Sequence, residues 1–371
     1  MKSITALLIV VCFCFCIPDK SVAQKKPFPY NVYKCFTGQI GGQPVHVYLR
    51  SNGGRVNGWY TYDGFHKAPT AVRYAGQKST DSLLVLIERA KADDGSSSPA
   101  QWEVTYHDSL LTGSWKSPGR TKADPIELKE NYPPGTYPFI IEVFNHTYDA
   151  YPEKDSTPQW ETTYVYPVAS SKDSNGRWMN HQIKILLDGD TSQTFDSIIH
   201  GKVSTGLQQY RKDMQGSIGK AYSSSMNYES FFQIDIDYNK NDYLVLPAMV
   251  YAFTGGAHGN YATTYACYDV RHRKQLHLSD VLQADSTTIR HLIESQYRVD
   301  QHLKPGDRLT DIYDNTLPVT DNFYFNDIGM CFVYNPYEVA PYAKGTIEVI
   351  IPYEKLNTFL NPDFKKRMGL R

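Results

Sequence analysis

Hydrophobic and polar residues alternate in short segments along residues 25–130, and glycine-containing turns separate these segments. The segment 101–106, for example, places Trp102, Val104 and Tyr106 at every second position. A repeat of two is the side-chain period of a β-strand with one buried face. Because several such segments follow one another without a helical period, residues 25–130 are predicted to form a small all-β barrel or sandwich.

A different period begins in the second half of the chain. From Phe195 to Met214 the hydrophobic residues stand mostly three or four positions apart, which is typical of an amphipathic helix. A second stripe of this kind follows Asp285. The segments between the two stripes have the pattern of strands. Residues 181–187, which precede the first stripe, are predicted as a further strand. The fold class is therefore predicted to be α+β. An N-terminal small all-β barrel or sandwich would precede an α+β domain with two main helices packed on an antiparallel sheet.

The sequence NYPPGTYP at residues 131–138 contains three prolines and one glycine. Such a segment is typical of a stiff connector between domains. We therefore predict a first domain at 25–130 and a second domain at 139–371, which divides into subdomains at 139–225 and 226–371.

The stretch from Gly329 to Tyr353 combines two apolar strands with a sharp corner between them. Pro336 fixes its own backbone and forces the first strand to turn. Gly345 supplies the conformational freedom needed before the second strand. Glu338 is a carboxylate in this aromatic corner, and three interpretations stay open. It accepts structural hydrogen bonds, it faces a partner, or it is a catalytic acid.

Residues 254–259 read TGGAHG, so the backbone there must bend sharply or approach another segment closely. A strand follows this segment, whereas a phosphate-binding loop leads into a helix. His258 is either a structural histidine or a metal ligand or general base, and no HExxH motif accompanies it. Asp235 and Asp237 alternate with apolar residues, so they either bind a cation or form the solvent-exposed face of a strand.

The charge of the chain is nearly balanced, with 38 Lys and Arg residues against 39 Asp and Glu residues. This balance gives no reason to expect a nucleic acid or an anionic membrane as partner. No sequence motif indicates a cofactor or a metal site, so none is predicted. The 29 tyrosines are typical of an extracytoplasmic β-protein, in which tyrosine packs on sheet faces that are partly exposed to solvent.

Residues 1–23 are predicted to be a signal peptide, with an apolar run at 4–17 and small residues at the cleavage site at 21–23. The expected location is the periplasm or the extracellular space. Phe13 and Phe15 precede cysteines where a lipid-modified cysteine needs a small residue, which argues against a lipoprotein.

Three cysteines lie beyond the signal peptide, at Cys35, Cys267 and Cys331. An odd number permits at most one intramolecular disulfide. Cys267 and Cys331 either pair with each other or remain buried free thiols.

Three segments together resemble the RsiV-like C-terminal domain family of bacterial extracytoplasmic proteins: YAFTGGAHG at 251–259, LHLSD at 276–280 and YNPYEVAPY at 334–342. Residues 139–225 resemble the domain that usually precedes it, and residues 25–130 lie outside the resemblance. The resemblance implies helices packed on an antiparallel sheet. It also implies a protein partner, because one member is an anti-sigma factor that binds lysozyme with this region. In a polysaccharide deacetylase the region accompanies a separate catalytic domain. This sequence lacks the His-x-x-x-His pattern expected of that deacetylase and has no apolar stretch long enough for a transmembrane helix.

The leading hypothesis is a secreted or periplasmic, non-enzymatic binding protein that recognises a lysozyme-like cell-wall hydrolase or a cell-envelope glycan such as peptidoglycan. The alternatives are a structural envelope protein without a small ligand, and a hydrolase or deacetylase-type enzyme that uses His258 and Glu338. The predicted binding residues all belong to the two unusual segments: Gly255, Gly256, His258, Tyr334, Pro336, Tyr337, Glu338, Pro341 and Tyr342.

Overall fold

The structure is a computed structural model that describes residues 28–63, 69–75, 83–88, 99–217, 222–309 and 311–370. The predicted signal peptide lies outside the described residues.

Eight antiparallel strands form a closed barrel, in which the last strand returns to pair with the first. The predicted N-terminal barrel is therefore confirmed. Alternate residues of each strand point inward, and Trp102, Val104 and Leu111 are fully buried in the barrel core. The strands are β1 (Val32–Ile40), β2 (Gln43–Asn52), β3 (Arg55–Tyr62), β4 (Thr70–Tyr74), β5 (Leu84–Glu88), β6 (Gln101–His107), β7 (Leu110–Lys116) and β8 (Asp124–Glu130).

The carboxylate of Glu88 in the barrel wall accepts hydrogen bonds from several donors. Glu88 Oε1 accepts a hydrogen bond from Tyr60 Oη at 2.8 Å, from Trp102 Nε1 at 3.2 Å and from Trp115 Nε1 at 2.6 Å. Burial, followed by the negative charge of Glu88, holds the pKa of Tyr60 far above its ordinary value. Glu88 thus links three strands of the barrel through aromatic donors.

A long sheet continues directly from the barrel wall. Val32 and Tyr33 of β1 pair with β9, while Phe36 to Ile40 of the same strand pair with β8. The strand order of the long sheet is β15-β14-β13-β11-β10-β9, and β12 pairs with one end of β13. Its strands are β9 (Phe139–Asp149), β10 (Gln159–Ala169), β11 (Tyr228–Ile234), β12 (Tyr238–Lys240), β13 (Tyr243–Phe253), β14 (Asn260–Asp269) and β15 (Lys274–Leu276).

Helices α1 (Ser174–Leu186) and α2 (Phe195–Met214) lie between β10 and β11 in the chain. This connection makes β10 and β11 parallel neighbours, so the long sheet is mixed. The strand expected at 181–187 is wrong, because these residues lie in α1 and just beyond its end. Asp173 caps α1 by accepting a hydrogen bond from Gly176 N, and Met179 and Ile183 form the buried stripe of the helix.

A small three-stranded sheet completes the fold, with strands β16 (Phe323–Phe325), β17 (Gly329–Tyr334) and β18 (Ile347–Pro352). Its core also contains Tyr243, Val245 and Cys267 of the long sheet. The remaining helices are α3 (Leu278–Val281), α4 (Ser286–Asp300), α5 (Tyr353–Leu356) and α6 (Pro362–Arg367). Both predicted main helices are present, as α2 and α4.

The predicted α+β fold class is nevertheless wrong, because the protein is mostly β. The described residues contain eighteen strands and six α-helices, and three of these helices have six residues or fewer. Each of the two helices read from the sequence covers only one part of a sheet. The helical period located both helices correctly, but helices form a smaller part of the protein than the predicted α+β class requires.

The long sheet has two different faces. Even-numbered residues form the helix face, where Trp160 lies beside Tyr210 of α2 and Tyr268 lies beside Trp178 of α1. Odd-numbered residues form the opposite face, which we call the barrel face. At one end of this face Phe139 packs against Tyr33 of the barrel. Elsewhere on it, Tyr243, Val245 and Cys267 pack against the small sheet.

The three cysteines Cys35, Cys267 and Cys331 are buried free thiols, which decides between the two alternatives left open by the sequence. Burial raises the pKa of each thiol above its ordinary range. Within the described residues, no helix has the length and apolar character needed to cross a bilayer.

Candidate functional site

The corner after β17 is built around Asn335, which is 8% exposed. Its backbone N–H donates to Glu338 Oε2 at 2.8 Å, and its side-chain Nδ2 donates to Glu338 Oε1 at 3.2 Å. Glu338 N–H in turn donates to Asn335 O at 3.1 Å. Among the three interpretations of Glu338, the geometry therefore favours the structural acceptor, because both carboxylate oxygens are used within the turn.

Tyr337 stands at the tip of this corner in an unusual backbone conformation. Its φ angle is 72°, in the left-handed region that glycine and asparagine normally occupy. Its N–H donates to Ala340 O at 3.1 Å, which closes the turn. Its side chain is 54% exposed, so a large aromatic ring projects from a fixed backbone into solvent. Strain of this kind persists only where the surrounding structure imposes it.

The glycine-rich segment lies against the same corner. Gly255 and Gly256 have φ angles of 90° and 100°, which allow the chain to reverse between β13 and β14. His258 then stacks on Tyr342, with ring centroids 4.0 Å apart and the planes inclined by 19°. Tyr342 Oη donates to Gly259 O at 2.8 Å. The structure thus brings together the two segments that the sequence singled out.

We call the resulting cluster of rings the aromatic corner, and it contains His258, Tyr261, Tyr337 and Tyr342. Tyr342 is central, because its ring centroid lies 5.5 Å from that of Tyr337 and 6.0 Å from that of Tyr261. His258 and Tyr337 are exposed, and the other two rings are partly exposed. Sequence analysis missed Tyr261, which is a strand residue with no motif of its own.

The other predicted site residues have mainly structural positions. Tyr334 is buried, and its hydroxyl donates to Pro318 O at 2.6 Å. Pro336 and Pro341 lie at the two ends of the corner, where their fixed backbone angles shape the turn. Gly255 and Gly256 shape the loop that carries His258.

The geometry gives the enzyme hypothesis little support at His258. Its Nδ1 lies 2.9 Å from Gly259 O, and within the described part of the chain it forms no ion pair with a carboxylate. A histidine base needs an orienting acid or a nucleophile within hydrogen-bond reach. Glu338 is already engaged by Asn335.

Asp235 and Asp237 lie at the junction of the barrel and the long sheet, away from the corner. Asp235 forms an ion pair with Arg50 of β2, whose side chain is 10% exposed, and accepts a hydrogen bond from Gln233 Nε2 at 3.1 Å. Removal from water, followed by the charges of Asp235 and Glu348, raises the pKa of Asp237 to about 8. Of the described residues, no three His, Cys, Asp or Glu side chains are placed to hold a metal ion.

Strand register extends the aromatic corner onto the barrel face of the long sheet. Phe231 of β11 pairs with Tyr251 of β13, and Tyr251 pairs with Tyr261 of β14. Directly paired residues point to the same face of a sheet, so these three rings form a row that leads to Tyr342. Sequence analysis missed this row, because the alternation shows which residues share a face but not which strands are neighbours.

Comparison with known proteins gives a family of unknown function. Residues 279–354 match the family described as "Protein of unknown function (DUF3298)". A solved structure of a DUF3298 family member from Bacteroides fragilis NCTC 9343 is similar, with a TM-score of 0.57 and 22% identity, over 63% of this chain and 99% of that chain. A DUF3298 family protein from Pseudomonas aeruginosa PAO1 has a TM-score of 0.44 and 17% identity, over 61% of this chain and 96% of that chain.

No match was found among curated proteins. At 22% identity, the likeness to the Bacteroides fragilis protein concerns the fold alone. The comparisons support a DUF3298 domain at residues 279–354, whereas the narrower RsiV-like assignment remains a prediction.

Proposed function

We propose that this chain is an exported binding protein of the bacterial cell envelope, and that its target is a cell-wall hydrolase of the lysozyme kind. The observation that carries the proposal is the aromatic corner. The His258–Tyr342 stack braces a projecting Tyr337 in a left-handed conformation.

A rigid, exposed tyrosine is well suited to protein recognition. Tyr and Trp are enriched among the residues that contribute most to binding energy, because they offer a large contact area with few rotatable bonds. At Tyr337 the backbone is fixed by the Asn335–Glu338 hydrogen bonds, and the ring lies against Tyr342. Little conformational entropy would be lost when a partner covers it.

The lysozyme-like target is proposed from the resemblance of the two corner segments to the RsiV-like family. A projecting tip supports a protein partner more than a small sugar, because small-molecule sites are usually clefts or cavities. The corner also lacks a partner acid for His258, which favours binding over hydrolysis.

The test uses the purified chain without residues 1–23, passed over immobilised lysozyme and over insoluble peptidoglycan. We expect retention on lysozyme and loss of retention in the Tyr337→Ala variant. Tyr30→Ala is the matched control, since Tyr30 is another exposed tyrosine, 62% accessible and located at the barrel. Retention on peptidoglycan alone would replace the protein target by a glycan, and retention on neither would contradict the proposal. Fractionation of cells that express the full chain tests export separately.

A further inference from the structure

Among the residues that the structure describes, none covers the barrel face of the long sheet beyond the barrel and the small sheet. Phe231, Met249, Tyr251, Phe253 and Tyr261 all belong to this face, and all are partly exposed. The barrel covers the opposite end of β9 and β10, where Phe139, Ile141 and Val165 are buried. A sheet face with this many partly exposed large apolar side chains is uncommon unless another molecule covers it.

Carboxylates form a second row beside the aromatic one. Glu161 of β10 pairs directly with Glu229 of β11, and Glu229 pairs with Phe253 of β13. Both glutamates are exposed, and among the described residues neither takes part in an ion pair. Like charges directly opposite each other on neighbouring strands destabilise a sheet. The free protein therefore carries an unfavourable pair at the edge of an aromatic surface.

The described strands place no positive charge beside this pair on the same face. The odd-numbered residues of β9, β10, β11, β13 and β14 along the uncovered part include no lysine and no arginine. Asn145 Nδ2 lies 3.3 Å from Glu161 Oε1 and offers a neutral donor only. The strands of this face therefore place acidic side chains, and no basic ones, beside the row of aromatic rings.

We infer that this uncovered part of the barrel face docks a basic protein surface, whose arginine or lysine side chains lie over Phe231, Tyr251 and Tyr261 and against Glu161 and Glu229. This inference rests on the proposed function and names the chemistry of the partner. A cation is attracted both by the faces of aromatic rings and by the carboxylates, and it would relieve the repulsion between the glutamates. The row ends at Tyr342, so the same partner would also contact the aromatic corner.

The experiment measures the dissociation constant for lysozyme, a basic protein, by biolayer interferometry at about 50 mM and about 300 mM NaCl. The test variant is Glu161→Gln with Glu229→Gln, which preserves shape and removes both charges. Glu127→Gln is the control, because Glu127 is an exposed strand glutamate of β8 in the barrel, outside the aromatic face. At low salt we expect the double variant to bind roughly tenfold more weakly, and the control to bind like the wild type. At high salt the difference should shrink to about twofold or less.

The outcomes separate this inference from the proposed function. If the double variant binds like the wild type while Tyr337→Ala loses binding, the basic-partner inference is overturned and the proposed function stands. If the double variant weakens binding and Tyr337→Ala does not, the inference is supported and the role of the corner fails. If wild-type protein binds no lysozyme at either salt concentration, both are overturned. Circular dichroism of each variant verifies that the sheet is intact.

Discussion

The side chain of Asn335 pairs with the backbone of Thr263 in both directions. Thr263 N–H donates to Asn335 Oδ1 at 2.7 Å, and Asn335 Nδ2 donates to Thr263 O at 3.2 Å. Asn322 repeats this arrangement further along β14, where it accepts from Tyr265 N at 2.8 Å and donates to Thr263 O at 2.8 Å. Two asparagine amides thus occupy the hydrogen-bonding positions that a further strand would otherwise take.

Replacing Asn335 by alanine should therefore destabilise the protein. The change removes partners from Thr263 N and from Glu338, and we expect the free energy of unfolding to fall by about 1–3 kcal/mol. Urea denaturation followed by circular dichroism measures this loss. Asn57→Ala, at an exposed position of β3, serves as the control. A loss in Asn335→Ala no larger than that of the control would show that the edge does not depend on the amide.

Two substitutions at Tyr337 separate backbone strain from side-chain function. Glycine adopts a φ of 72° freely and alanine does not, so Tyr337→Gly should be more stable than Tyr337→Ala by about 1 kcal/mol. Both variants lack the ring, and both should lose binding to lysozyme. Thermal denaturation and interferometry provide the two measurements. Equal stability of the two variants would mean that the turn relaxes and stores no strain.

The junction between barrel and sheet should make stability depend on pH. The pKa of Asp237 is raised from 3.8 to about 8 in the folded protein, so the folded state holds its proton over a range in which the unfolded state has lost it. The contribution of Asp237 to the free energy of unfolding is fully present below pH 3.8 and is lost as the pH rises through about 8.

Urea denaturation at about pH 5, 7 and 9 should therefore show a decline in the wild type that Asp237→Asn lacks. Asp213→Asn changes an exposed aspartate of α2 and should keep the decline. Parallel curves for the wild type and Asp237→Asn would contradict the assigned origin of the effect.

The barrel should depend strongly on Glu88. Alanine at this position leaves the donors of Tyr60, Trp102 and Trp115 without their acceptor, and we expect a loss of about 3 kcal/mol in the free energy of unfolding. Glutamine retains one acceptor oxygen and should lose less. Glu103→Ala, an exposed neighbour on β6, should change stability by no more than about 0.5 kcal/mol. Denaturation monitored by tryptophan fluorescence compares the three variants.

The side-chain period predicted many of the individual strands and helices, but it predicted little of how they are arranged in the fold. The period-two pattern around Trp102 was sufficient to predict a barrel strand, and the stripe from Phe195 to Met214 coincides with α2. The error at 181–187 arose because Ile183, Ile185 and Leu187 also fit an alternating pattern. The cap at Asp173 and the buried Met179 show that the helical period was the correct one.

The candidate site was predictable only where backbone chemistry marks it. Proline and glycine indicate sharp bends in any sequence. Pro336 and the glycines at 255 and 256 therefore identified both segments of the corner. The Phe231–Tyr251–Tyr261 row depends on which strands are neighbours, and β11 reaches its place only through the crossover of α1 and α2. The left-handed Tyr337 was not predictable, because tyrosine has no preference for that conformation.

The shared strand β1 has a mechanical consequence. Tyr33 pairs with Phe139, and Phe36 to Ile40 pair with β8. A force applied to the corner would therefore be transmitted through backbone hydrogen bonds into the barrel. Stretching the molecule between its ends should then rupture the junction in one abrupt step, without the gradual extension that a slack tether produces.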